Sequence, residues 1–337
     1  MNDNYIKCLE LNISEACNYK CNYCIFHRNT TETSLMKVDL ACKIARDYAD
    51  YLNGRPGKIY LGAGEPTLNW EAIEAISNVV REEYSSNNIS ISFMTNGSNI
   101  NYDRVRFLKE KNIQMGLSID GNRVIQNYQR PPCNLNIDTY DAVINVLNMA
   151  NEYKYSIYSL SATYKSLGFR SEVSHVIGLC KKYGITELDL DYDIAALSLD
   201  TISKVAKELF DSYSDITKEN IEVFGYWIIP VINQAIMDSR QRCYCGNSVG
   251  NNICVSAQGQ VKICGYDSMS YGAYTGFDSI YSEKYMMALN QYKRRMQLCE
   301  SCKIKDYCFG QCIFMDPQSS AFKNNCKLLL EIVELFS

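Results

Sequence analysis

The chain has 337 residues, 47% of them hydrophobic and 21% charged, with a formal net charge of −4 and no basic run. This composition is that of a soluble globular protein with a sizeable core, and it argues against a phosphate-tracking surface for nucleic acid. No apolar stretch approaches the roughly 20 residues that cross a bilayer, and Met-Asn-Asp-Asn-Tyr at the start lacks the basic and apolar regions of a signal peptide. A cytoplasmic protein without nucleic-acid or membrane partners is expected.

In chain order, β-branched runs predict strands over Lys7–Ile13, Lys58–Leu61, Ile89–Thr95, Ile113–Ile119, Tyr155–Thr163 and Glu187–Asp191. Amphipathic patterns near 35–53, 70–84, 102–111, 138–152 and 171–183 predict the helices between them. Repeated βα units imply a parallel sheet in an α/β fold, either doubly wound or an incomplete (β/α) barrel. The stretch 200–238 reads as two helices. From 241 onward Cys, Gly, Asn and Tyr rise together and one clear helix remains, near 282–297. A segment so short of regular structure needs metal or covalent staples to fold.

Sixteen cysteines and only two histidines, His27 and His175, bias any metal site toward all-thiolate ligation. Twelve of the sixteen fall in two groups with motif-like spacing. Cys17, Cys21 and Cys24 follow directly on the first strand, and three thiolates within eight residues leave one iron of a four-iron cluster open. A zinc knuckle completed by His27 is the competing reading.

Cys17-x3-Cys21-x2-Cys24 resembles the signature of the radical S-adenosylmethionine (SAM) superfamily, and further segments match in order. Gly62-Ala63-Gly64-Glu65-Pro66 resembles the motif that contacts the cofactor's amino group. Thr95-Asn96-Gly97 and Leu117-Ser118-Ile119-Asp120-Gly121 resemble the segments that line its ribose and carboxylate, with Arg130 twelve residues after Ser118. The resemblance implies cofactor contacts from Tyr23, Gly64, Glu65, Asn96, Ser118, Asp120 and Arg130, the last pairing with the cofactor carboxylate. The residue after the third cysteine, often aromatic in the family, is Ile25 here, with Tyr23 and Phe26 flanking.

Farther on, Cys245, Gly259 and Cys264 precede Cys299-x2-Cys302-x5-Cys308-x3-Cys312 and a final Cys326, a pattern that resembles the seven-cysteine SPASM domain. By that resemblance Cys299, Cys302, Cys308 and Cys326 hold one auxiliary [4Fe–4S] cluster, and Cys245, Cys264 and Cys312 hold another. Its fourth ligand is Cys243 or Cys254, or the position stays open to substrate. If a hairpin turns on Gln258-Gly259, Ile253 pairs with Cys264 and Cys254 faces away, which favours Cys243. Cys8, Cys42, Cys133 and Cys180 read as buried small hydrophobes.

The resemblance thus implies a partial (β/α)6 TIM-like barrel over 1–200, a helical bridge over 201–240 and a SPASM domain over 241–337. It implies three [4Fe–4S] clusters, a reductant such as flavodoxin or ferredoxin, and a 5′-deoxyadenosyl radical that abstracts hydrogen from a peptide or protein. Maturation of a ribosomally made peptide, with a thioether, carbon–carbon or oxidative product, is the leading expectation. An anaerobic sulfatase-maturating enzyme is the alternative. That type places an Asp after the cysteine matching Cys264, where this chain has Gly265, with Asp267 two residues on as a weak candidate base. A non-catalytic iron–sulfur carrier or zinc scaffold is the reading from another class. The first strand begins near residue 7, so a separate peptide-recognition protein or direct peptide binding is expected. Asp189, Asp191 and Asp193 alternate along the sixth strand, facing either the barrel interior and a cationic substrate group or solvent.

Overall fold

The computed structural model describes residues 5–26, 33–237 and 244–336. Its first half alternates strands and helices: β1 (Cys8–Ser14), α1 (Val38–Leu52), β2 (Gly57–Ala63), α2 (Trp70–Asn78), β3 (Ile89–Thr95), α3 (Tyr102–Glu110), β4 (Ile113–Ser118), α4 (Arg123–Gln129), α5 (Thr139–Glu152), β5 (Leu160–Tyr164), α6 (Arg170–Tyr183) and β6 (Glu187–Tyr192). After these come α7 (Ile202–Lys218), β7 (Glu222–Phe224), α8 (Ile229–Ile236), β8 (Asn252–Val255), β9 (Val261–Lys262), α9 (Glu283–Arg295), α10 (Lys305–Cys308) and α11 (Ser320–Phe336).

One nine-stranded sheet runs in the order β7-β6-β5-β4-β3-β2-β1-β8-β9, parallel throughout except for the β8–β9 hairpin. The sheet is α/β in character and stays open, ending at β7 and β9. Sequence from beyond residue 250 thereby completes the first sheet, because β8 pairs with the free side of β1 in the register Leu9↔Ile253.

The two-residue period of a strand sorts the side chains. On β1, Leu9, Leu11 and Ile13 are fully buried in the apolar core, and Cys8 and Glu10 line an internal cavity. On β6, Leu188 and Leu190 enter the core while Glu187 and Asp189 line the same cavity. Helix α1 closes over the apolar side with Ala41, Ile44, Ala45, Tyr48, Ala49 and Leu52, the three-and-four spacing of one helical face. It stops where Asn53 turns left-handed at φ 46 and donates its N–H to Ala49 and Asp50.

Three expectations are corrected. The fifth strand begins at Leu160 and not at Tyr155: Lys154 takes φ 52, and the Tyr155 N–H folds back to the Ala150 carbonyl. Helix α4 forms where none was expected, capped by Asn122, whose Oδ1 accepts the Val124 and Ile125 N–H groups. Helix α11 adds a second long helix after 241, burying Phe322, Leu328, Leu329, Ile332 and Val333. It packs on α7 and α8. No helix among the described residues is long and apolar enough to cross a membrane.

Leu61 lies in the middle of the sheet with no exposure. Leu61→Ala is expected to lower stability by about 2–5 kcal/mol, read as an earlier chemical-unfolding midpoint measured anaerobically.

Candidate functional site

A cavity of about 500 Å³ opens at the carboxyl ends of the strands, the end at which barrel folds of this kind build their sites. Cys17, Cys21 and Cys24 line it from the loop after β1. That loop is laced to the segment after α4: Lys20 donates to the Pro131 carbonyl at 2.8 Å, Asn22 to Gln129 at 2.9 Å, and Cys133 to Asn18 at 2.8 Å. The main chain, more than any side chain, holds the three thiols at one wall.

Gly64 explains how the next segment reaches them. A Cβ there would sit 2.5 Å from the Ala16 carbonyl oxygen and 3.0 Å from Cys17 Cβ, so only glycine lets the turn after β2 lie on the cysteine loop. The expected close approach of this motif is thus made to the protein's own backbone. Glu65, 1% exposed, accepts from Thr67 Oγ1 and Thr95 Oγ1, each at 2.6 Å, and from the Asn96 N–H at 2.9 Å. Burial raises its pKa, and those hydrogen bonds partly oppose the rise. Its carboxylate ties the end of β2 to the end of β3, with Oε2 holding one partner where Oε1 holds three. Asn96 Nδ2 donates to Asn18 Oδ1 at 2.9 Å, and Asn18 Nδ2 to Ser98 at 2.8 Å, which binds the cysteine loop to β3.

Arg130 lines the cavity, and two of its five N–H donors are spent on one carboxylate. Its Nε and Nη2 bind both oxygens of Asp120 at 2.9 Å, with the residues 7% and 0% exposed. Burial alone would lower the guanidinium pKa; the Asp120 charge reverses this and carries it well above the ordinary value. Tyr23, expected beside the cofactor, donates its hydroxyl to Asp120 at 2.5 Å and places its ring 5.3 Å from the guanidinium. The Thr163 N–H completes the set at 3.0 Å. Asp120 is therefore the anchor of Arg130 and Tyr23. Ser118 lines the cavity at the end of β4.

A second cavity, of about 460 Å³, is lined by Cys245, Cys264 and Cys312, and also by Cys8. Cys8 was expected as a packed hydrophobe; it instead sits on the inner face of β1, its thiol pushed by burial up to about 12. The hairpin expectation is corrected too. Cys254 pairs with Lys262 and Val255 with Val261, so three residues, Ala257, Gln258 and Gly259, make the turn, with Gly259 at φ 74. Cys254 then shares the face of Lys262 and, two residues on, of Cys264, which removes the reason for preferring Cys243. Cys243 and His27 lie outside the described residues.

Cys299, Cys302, Cys308 and Cys326 surround a third, small cavity, where Gln311 Nε2 donates to Cys326 Sγ at 2.8 Å. Among the described residues no three side chains close to the spacing of a single ion; the thiols stand around cavities. Burial pushes the Cys21 thiol up to about 12 and raises Cys17, so thiolates here need a cation beside them. Three thiols on one cavity wall suit a four-iron cluster with an open iron, and the space beside them suits a nucleoside-sized ligand. Asp267, 2% exposed, does not line this main cavity. Its oxygens accept the Met269 N–H at 2.8 Å and the Ile263 N–H at 3.4 Å, and it borders a separate polar pocket.

Sequence reasoning missed Tyr60, Tyr226, Trp227 and Tyr266, which line both large cavities and form the wall between them. The inward parity of Tyr60 on β2 was the one available signal.

Residues 11–171 match the radical SAM superfamily. The chain is 22% identical to the radical SAM cyclopropyl synthase TigE of Paramaledivibacter caminithermalis, over 91% of this chain and 68% of that protein. It is 31% identical to a cysteine-type anaerobic sulfatase-maturating enzyme of Clostridium perfringens, over 42% of this chain and 40% of that enzyme. The fold matches native anSMEcpe with bound AdoMet at a TM-score of 0.80 and 22% identity, covering 97% of this chain and 96% of that one. Streptococcus suis SuiB bound to precursor peptide SuiA matches at 0.69 and 16% identity, covering 91% and 72%.

Replacing Asp120 by Asn leaves the buried Arg130 charge without its partner and is expected to cost about 3–5 kcal/mol. Tyr23→Phe, which removes one hydrogen bond, is expected to cost about 1–3 kcal/mol. Chemical unfolding of both variants beside the parent protein checks the order.

Proposed function

Because the chain carries a radical SAM domain and belongs with the radical SAM enzymes, we propose that it modifies a ribosomally made peptide, installing a thioether, a carbon–carbon bond or an oxidised group. Membership of an enzyme family removes the non-catalytic carrier or scaffold as a reading. The carrying observation is the placement of two thiol sets on either side of one aromatic wall, Cys17, Cys21 and Cys24 lining one cavity and Cys245, Cys264 and Cys312 the next.

In this reading Cys17, Cys21 and Cys24 hold the SAM cluster, and the other seven cysteines, with Cys8, Cys254 or Cys243 as a possible eighth, hold two auxiliary clusters. When bound, the first cluster and S-adenosylmethionine supply the electron and the radical that takes hydrogen from an unactivated carbon. The protein's part is positional. Arg130, with Nη1 left over from its pairing with Asp120, offers N–H donors to a carboxylate. Glu65 Oε2, with one partner, offers an acceptor to an ammonium group. Ser118 offers a hydroxyl, and the rings of Tyr60, Tyr226, Trp227 and Tyr266 keep water from the space where substrate carbon must lie.

The formylglycine-forming alternative is supported by the relation to the sulfatase-maturating enzymes. Counting against it is Gly265, which stands where the resemblance associates an aspartate with that reaction; a Cβ there would lie 2.0 Å from Glu10 Oε1, so the Glu10 side chain, which accepts the Gly265 N–H, would have to move aside.

Anaerobic reconstitution is expected to load roughly twelve irons if all three thiol groups take four-iron clusters, and dithionite with S-adenosylmethionine to release 5′-deoxyadenosine. Cys21→Ala is expected to abolish the release. Cys302→Ala is expected to lower the iron content by about four and to retain release while losing any mass change in a co-expressed precursor peptide. A parent protein that releases no nucleoside sinks the reading.

A further inference from the structure

The two large cavities are lined by more carboxyl groups than cations. Asp191 and Asp193 line the first cavity, and Glu10, Glu187 and Asp189 line the second. Lys58 is the cation among the second set, and its Nζ lies 5.9 Å from the centroid of the Tyr60 ring. The cation of the first cavity, Arg130, is committed to Asp120. That leaves the Asp191 end without a countercharge among the described residues.

Asp191 is 5% exposed, so its carboxyl is held almost out of water. Its Oδ1 accepts the Tyr226 N–H at 2.8 Å and the Trp227 N–H at 3.3 Å, which fixes the group, and its Oδ2 has no donor among the described residues. The same turn brings the Tyr226 and Trp227 rings onto the cavity, each with its centroid 6.4 Å from that of Tyr266. Gly225 allows this turn: a Cβ there would lie 2.5 Å from the Leu190 carbonyl oxygen and 3.1 Å from Asp191 Oδ1. A carboxyl oxygen without a donor among the described residues, on a cavity that aromatic rings also line, is the chemistry that receives an ammonium or guanidinium group.

We propose that Asp191, with Asp193 beside it and the rings of Tyr226, Trp227 and Tyr266 around it, forms a subsite for a cationic side chain, lysine or arginine, of the peptide substrate. The inference rests on the reading of the substrate as a peptide. It gives the acidic alternation of β6 a task and sets the hydrogen-bearing carbon near the radical-forming cavity by anchoring a neighbouring residue. Burial first, with the nearby Asp189 charge adding, holds the empty Asp191 carboxyl up to about 8, against the two backbone N–H bonds that lower it. Among the described residues the other ionisable groups coupled to it are the Tyr226, Tyr244 and Tyr266 hydroxyls, none of them cationic. A cation entering beside Asp191 lowers that pKa, so binding near neutral pH releases a proton.

The test is anaerobic calorimetry on the reconstituted, SAM-loaded enzyme with two acetylated, amidated pentapeptides, Ala-Ala-Lys-Ala-Ala and its norleucine counterpart. The lysine peptide is expected to bind about tenfold tighter, with a heat that varies with buffer ionisation enthalpy. Asp191→Asn is expected to bring that preference to about twofold without changing the affinity for norleucine peptide or S-adenosylmethionine. Asp193→Asn, the second variant should Asp191→Asn not fold, is expected to reduce the preference by less. Equal binding of the two peptides, no binding of either, an equal loss for both in the variants, or a change confined to S-adenosylmethionine affinity overturns the subsite. The two readings fail separately: a lysine preference in an enzyme that releases nucleoside and modifies no peptide overturns the peptide-modifying reading alone.

Discussion

The site depends on one buried carboxylate. Asp120 has no exposure and is bound by Arg130, by the Tyr23 hydroxyl and by the Thr163 N–H. These partners come from three places: the segment after α4, the cysteine loop, and β5. A charge without water is held only by partners that stay in place, and Asp120 is the carboxylate that Arg130, itself desolvated, pairs with among the described residues. The pair therefore fixes three separate stretches to the end of β4, where Asp120 follows Ser118. The ribbon of main-chain bonds between Lys20–Asn22 and Gln129–Pro131 continues the same attachment. Without it, the thiols of an eight-residue loop would have no common direction.

Strand parity does the rest. Parallel strands covered by helices are apolar on the outer face, and the alternate positions turn inward. Here those inward positions are Cys8, Glu10, Lys58, Tyr60, Glu187 and Asp189, a polar and aromatic set that leaves space where a packed barrel core would be filled. Because β8 adds to the free side of β1, Cys264 and its neighbours are brought against the same interior. One sheet thereby places two thiol sets and the aromatic wall between them.

Much of this was legible in the residues. The cysteine loop, Glu65, Asn96 and Ser118 all stand at strand ends as their motifs imply, since a βα unit puts the residues after each strand at one end of the sheet. Their partners were not legible. Nothing local indicates that Arg130 meets Asp120 ten residues earlier in a bidentate pair, or that Glu65 is met by Thr95 and Asn96 from the next strand. The hairpin of β8 and β9 turned on one residue: a three-residue turn in place of two moves Cys254 to the other face. Asp267 looked available two residues past Gly265, and its own loop's N–H groups occupy it.

The sequence alone determined the chemistry on offer: thiols at fixed short spacing, glycines where backbone must approach backbone, and alternation that commits each strand residue to one face. Those are properties of neighbours, and neighbours are what a sequence states directly. Tertiary structure decided which charges are spent and which remain. Arg130 and Asp120 neutralise each other, Glu65 is largely taken up by β3, and Asp191 keeps one carboxyl oxygen without a donor among the described residues. Charges at such distances along the chain meet only when the sheet is assembled, because their pairing depends on strand order and register and not on spacing.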